Sequence, residues 1–178
     1  MMHQKYLFCI TLFIVLLIYN QSYSSNICLS YASRYNQSFG LPENTLSAIA
    51  SVESGRKKHK TSNYKTPWPW TINVSGNGYF FKTRTSAIRK VKELRRKGIS
   101  NIDVGCMQIN LYYHPKAFSS LKEAFNPNTN VLYAANFLSK LYKQEGNWSK
   151  AISRYHSGKK ERGQKYLQKV IQTAKIMP

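Results

Sequence analysis

The sequence predicts an α+β fold, mostly helical, with one small β-hairpin. Three observations predict it. Seven stretches carry apolar residues at helical spacing or fit between helix start and stop signals. One aromatic and β-branched stretch, from about 70 to 82, carries the strand signal instead. The chain has 178 residues, enough for one domain with a sizeable core, and shows no internal repeat or low-complexity segment.

The first residues are read as targeting rather than fold. Lys5 precedes an apolar run from Leu7 to Tyr19, too short for a membrane span, and Ser22-Tyr23-Ser24 supplies small residues at cleavage positions. Residues 1–24 are therefore expected to be a secretory signal, with an uncleaved anchor as the alternative, and 25–178 the exported domain. No later run is apolar enough to span a bilayer. Cys9 leaves with the signal, so Cys28 and Cys106 remain. An even count in an exported domain favours a disulfide between them over two buried thiols. No Cys/His spacing suggests a metal, and His59, His114 and His156 read as solvent or loop residues.

A short helix is expected over about 29–37, then a turn at Phe39-Gly40-Leu41-Pro42. The next helix, about 42–54, carries Leu46, Ile49 and Ala50 on the same face as Glu53. Pro42 suits its first turn, and Gly55 suits a left-handed residue after its end. Gly55 to Pro67 is basic and polar, hence an exposed loop. Strands near 70–74 and 79–82 flank Ser75-Gly76-Asn77-Gly78, forming a hairpin that must lie on the helices to be stable. It is the only sheet the sequence signals. Thr83 or Thr85 can cap a helix ending near 97. Residues 99–116 show little period and read as a buried connector. Helices are expected over 117–125, 129–145, 148–156 and 164–174, separated by Asn126-Pro127-Asn128, Gly146 and Gly158.

Charge narrows the chemistry. The net charge is +20, with 27 basic residues against seven acids. Such a balance suits polyanionic surroundings, and for an exported chain an envelope polymer outranks nucleic acid. The basic residues are spread out and no nucleic-acid motif appears. Acid/base catalysis by carboxylates must draw on Glu43, Glu53, Glu93, Asp103, Glu123, Glu145 and Glu161. Glu53 stands out. An acid at the end of an apolar helix face is partly desolvated, which raises its pKa toward neutrality and suits a general acid. The alternative role for it is a solvent-facing helix end.

Three segments, in order, carry a resemblance: Glu53-Ser54-Gly55, Gly105-Cys106-Met107-Gln108-Ile109-Asn110, and Arg154-Tyr155-His156-Ser157-Gly158. Together they resemble the soluble lytic transglycosylase (SLT) domain of the goose-lysozyme-like superfamily, which shows E-S-G, G-x-M-Q-I and A-Y-N-x-G. The match covers about 42–175, and the chain looks most like the small stand-alone members, some of which serve secretion systems. Arg154 and His156 depart from the family's Ala and Asn.

The resemblance implies a lysozyme-like globule that cleaves the MurNAc-β-1,4-GlcNAc bond of peptidoglycan with Glu53 as the single catalytic acid. No cofactor is implied. The implied partners are peptidoglycan glycan strands and a secretion-system assembly, in the periplasm or outside the cell. Ser54, Met107, Gln108, Asn110 and Tyr155 become candidate substrate contacts, each with core packing or backbone bonding as its other role. Trp68, Trp70 and Tyr79 are candidate sugar platforms, with Trp70 ahead. Asp103 is the one acid near a motif, and it leaves open a goose-type muramidase that uses water. A wall-binding module without catalysis is the third reading, and Glu53 argues against it.

Overall fold

The computed structural model describes residues 27–56 and 64–177. The expected signal, 1–24, and most of the basic loop after Gly55 lie outside the described residues. Those that are described form seven helices and two small antiparallel sheets. Helix α1 covers 27–38. Helix α2 is Thr45–Ser54, followed by strands β1 (Gly55–Arg56), β2 (Thr66–Pro67), β3 (Thr71–Val74) and β4 (Asn77–Phe80). Then come α3 (Arg84–Arg96), β5 (Asp103–Val104), β6 (Ile109–Asn110), α4 (Leu121–Ala124), α5 (Pro127–Glu145), α6 (Trp148–His156) and α7 (Lys160–Lys175). Among them no helix is long and apolar enough to cross a membrane.

Helix α2 is the axis of the domain. Eight of its ten residues are buried, so it is enclosed on all sides rather than one. Ala48, Ser47 and Ser51 make this possible, because small side chains let neighbouring helices approach closely. Its start is capped from outside. Asn36 of α1 accepts from the Leu46 N–H at 3.0 Å and donates to the carbonyls of Leu41 and Pro42. This satisfies an N–H that the first turn leaves without a partner. The helix begins at Thr45, so Pro42 lies before it rather than in its first turn.

Gly55 is extended (φ −70°, ψ 131°), not left-handed. Its lack of a side chain serves close approach. A Cβ there would sit 2.1 Å from the Ser51 carbonyl oxygen and 2.5 Å from Lys65 Cβ. The chain thereby runs straight from α2 into β1, which pairs with β2.

The hairpin forms, with its two-residue turn at Ser75-Gly76, both left-handed as a tight hairpin requires. The sheet is larger than the sequence signalled. Strands β5 and β6, from the segment read as a connector, extend it to the order β4-β3-β5-β6. Each spans two residues, too short to show alternation. The helix expected over 117–125 shrinks to Leu121–Ala124.

Two cores result. The helical core gathers Leu46, Ile49, Val131, Leu138 and Val170, with α2 packed on α7 and α6 between α5 and α7. The second gathers Ile72, Val91, Ile102, Val104 and Phe125 between the sheet and α3. A disulfide joins Cys28 of α1 to Cys106 of the β5–β6 turn, across 78 positions.

Candidate active site

Glu53 lies one residue before the end of α2, where the helical core meets the β5–β6 segment. Burial pushes its pKa up to about 7; nearby Tyr166 lowers it, and the charge of Asp103 raises it further. Such a carboxyl is protonated in part at neutral pH, so it can give up a proton and take one back.

Tyr155 of α6 donates its hydroxyl to the Met107 carbonyl at 3.0 Å, not to Glu53. Its ring is nonetheless near the acid. Burial and the charge of Glu53 hold its pKa well above the usual tyrosine range. Tyr166 of α7 was not singled out by any motif. Its hydroxyl is buried, has no partner at good hydrogen-bonding geometry, and lies close enough to interact with the Glu53 carboxyl. Nothing in the local sequence marks it, since a Tyr in an amphipathic stretch reads as core. Asp103 is half-buried; burial raises its pKa, and the Asn110 amide and His156 oppose that rise.

The other candidates divide by where their polar atoms go. Ser54 is buried, and its hydroxyl bonds to Cys106 O at 2.7 Å and accepts from Trp68 N at 3.3 Å. It ties α2 to two other segments, which leaves it little capacity for substrate. Met107 is fully buried, so it belongs to the core rather than to an open apolar wall. Gln108 is left-handed (φ 46°), and its amide nitrogen bonds to Gly105 O and Thr71 O. Its amide oxygen has no hydrogen bond among the described residues. Asn110 is saturated by bonds to Asn101, Asp103 and the N–H groups of Tyr112 and Tyr113.

Trp68 is buried, with its indole N–H donating to Phe81 O and Arg56 lying over its ring. It is a packing residue. Trp70 meets it edge-on at 5.4 Å and is half-buried, and Tyr79 is exposed. Arg154, where the family has Ala, pairs with Glu145 on the surface. His114 is no free loop residue; its Nδ1 lies 2.8 Å from the Tyr133 hydroxyl. His59 lies outside the described residues. A cavity of about 240 Å³ is lined in part by Arg95, Leu111, His114 and Phe118. No carboxylate lines it.

A helical domain with a small sheet, built around a central helix that ends in a desolvated acid, is a protein of the lysozyme-like α+β class. The transglycosylase SLT domain family matches residues 30–176, and the chain belongs to that family. It is also 29% identical over 151 residues to the type IV secretion system protein virB1 of Brucella abortus biovar 1 (strain 9-941), Brucella melitensis biotype 1 and Brucella suis biovar 1. That overlap covers 74% of this chain and 58% of each relative, so the chain spans little more than half their length. No solved structure matches it.

Proposed function

We propose that the chain is an exported peptidoglycan lytic transglycosylase with Glu53 as acid and then base. The observation that carries this reading is the pKa of about 7 at Glu53, in a chain of the SLT family. The protonated Glu53 carboxyl donates to the glycosidic oxygen between MurNAc and GlcNAc. The C1–O bond breaks, and its electron pair stays on the departing oxygen. The carbonyl oxygen of the MurNAc N-acetyl group stabilises the positive C1. Glu53, now a carboxylate, takes the proton from the MurNAc 6-hydroxyl. That oxygen bonds to C1, and a 1,6-anhydro end forms without water. A single residue near neutrality suits both halves, because neither proton transfer is far uphill.

Export rests on the leader-like segment 1–24 and on the paired cysteines, which suit the periplasm or the exterior. The name of the Brucella relatives supports work beside a type IV secretion apparatus. Such a machine must pass a wall that this reaction would open.

A second reading has its own observation. Asp103 is near enough to Glu53 for their charges to interact, so a second carboxylate is in range to direct water. That would make the chain a muramidase. Mass spectrometry of digested sacculi decides between them. Anhydro-muramic ends are expected; reducing ends of ordinary mass would overturn the transglycosylase reading.

A further inference from the structure

Asn110 does not face a ligand with its amide, yet it is the most heavily bonded side chain on the sheet's edge. Its nitrogen donates to Asn101 Oδ1 at 2.6 Å and to Asp103 Oδ1 at 2.7 Å. Its oxygen accepts from both Tyr112 N and Tyr113 N, each at 3.0 Å. The turn is tied further by Leu111 N to Ile102 O and by His114 N to Asn110 O. The product of these bonds is a rigid turn bearing two exposed aromatic rings.

Tyr112 and Tyr113 are 59% and 70% exposed, the most exposed large hydrophobic side chains described. Their rings meet edge to face, 5.1 Å apart at 84°. Holding two bare rings in water on a fixed backbone gains the free protein little. It lowers the ordering cost of whatever lands on them.

We propose that Tyr112 and Tyr113 form a stacking subsite for a pyranose ring of the glycan strand, with Asn110 as the positioning residue that presents them. The proposal rests on the peptidoglycan reading above. Two features favour a sugar over a protein partner. Perpendicular rings offer small faces matched in size to a single sugar, rather than a continuous apolar patch. Their surroundings are polar, with exposed Asn101 bonded to the same Asn110 amide that holds the turn, which suits hydroxyl and acetamido groups. The turn is also continuous with the acid. Asn110 pairs with Asp103 across the sheet, and the Asp103 charge reaches Glu53.

The test uses Glu53→Gln protein, so that the strand stays intact, and measures binding to peptide-free glycan strands by calorimetry. Tyr112→Ala and Tyr113→Ala should each weaken binding about tenfold, and Tyr→Phe at either position should keep it. Asn110→Ala should weaken binding with both rings present. Thermal unfolding of the two Tyr→Ala variants should match the parent, since both side chains are exposed. Unchanged affinity in those variants, or a loss with Phe equal to that with Ala, overturns the subsite and leaves the catalytic reading standing. No glycan binding by the Glu53→Gln parent overturns both.

Discussion

The imidazole of His156 lies flat on the ring of Tyr166, with centroids 4.5 Å apart and planes within 5°. His156 stands on the solvent side of the pair, and the Tyr166 hydroxyl is buried near Glu53. The residue that departs from the family's Asn therefore covers a ring whose buried hydroxyl lies close to the acid. Burial and the cations Lys169 and Arg162 lower the His156 pKa, while Asp103 opposes them.

The Tyr166 hydroxyl lowers the Glu53 pKa against the effect of burial. Tyr166→Phe removes that influence, and the acid should hold its proton to higher pH. Activity that falls as pH rises through about 7 should then fall at a more alkaline pH. His156→Ala should shift the profile the same way, by freeing the ring, and should cost about 1 kcal/mol of stability. A pH–rate profile on purified sacculi reads both variants; profiles that superimpose on wild type would remove Tyr166 from the site.

Glu53 also sets a stability difference with a definite sign. Its folded pKa is raised, from 4.5 to about 7. Below the unfolded value both states are protonated and nothing is lost. As pH rises through this window the folded state resists ionisation, and stability falls. The deficit above the window is about 2 kcal/mol once partial exposure is allowed for. Glu53→Gln should therefore melt higher than wild type at about pH 8 and nearly equal to it at about pH 4, while losing roughly 10²–10⁴ in rate. Thermal unfolding at the two pH values checks the first part, and muropeptide release the second. Equal melting at both would mean that Glu53 ionises as freely as in water.

The sequence made the frame legible where the signal is local. The apolar face of Leu46, Ile49 and Ala50 located α2 and its acid, and Ser75-Gly76-Asn77-Gly78 located the hairpin, although only its first two residues form the turn and the other two belong to β4. What stayed hidden depends on partners far along the chain. Ser54 spends its hydroxyl on Cys106, Tyr155 spends its own on Met107, and Tyr166 meets Glu53 from the last helix. No pattern within one stretch reports such a pairing. Strands β5 and β6 were missed because two residues cannot show a period.

Asn130 of α5 is another such hidden partner, and its loss should be severe. It is fully buried, donates to Val104 O and Ala124 O at 3.1 and 3.0 Å, and accepts from Met107 N at 2.9 Å. Asn130→Ala would strand all three backbone groups and leave a void, at about 3–5 kcal/mol. Gly105→Ala should fail for the same neighbour, since a Cβ would sit 2.4 Å from the Asn130 amide at a residue with φ +82°. Chemical denaturation measures the cost; a loss under about 1 kcal/mol for Asn130→Ala would show that water replaces these bonds.

The disulfide provides the last test, because it acts on fold and site together. Closing a loop across 78 positions restricts the unfolded chain, and the loop-entropy estimate is about 4 kcal/mol. Cys106 is also the residue whose carbonyl receives the hydroxyl of Ser54, the neighbour of Glu53 on α2, and it precedes Met107, whose carbonyl receives the Tyr155 hydroxyl. Reduction should therefore loosen the Met107–Gln108 segment against Glu53 before the domain unfolds. Cys28→Ala/Cys106→Ala protein is expected to melt well below wild type, and to lose activity at temperatures where its helical signal is still intact. Circular dichroism and sacculus digestion on the same samples compare the two. Activity that tracks helicity throughout would limit the bridge to a stabilising role.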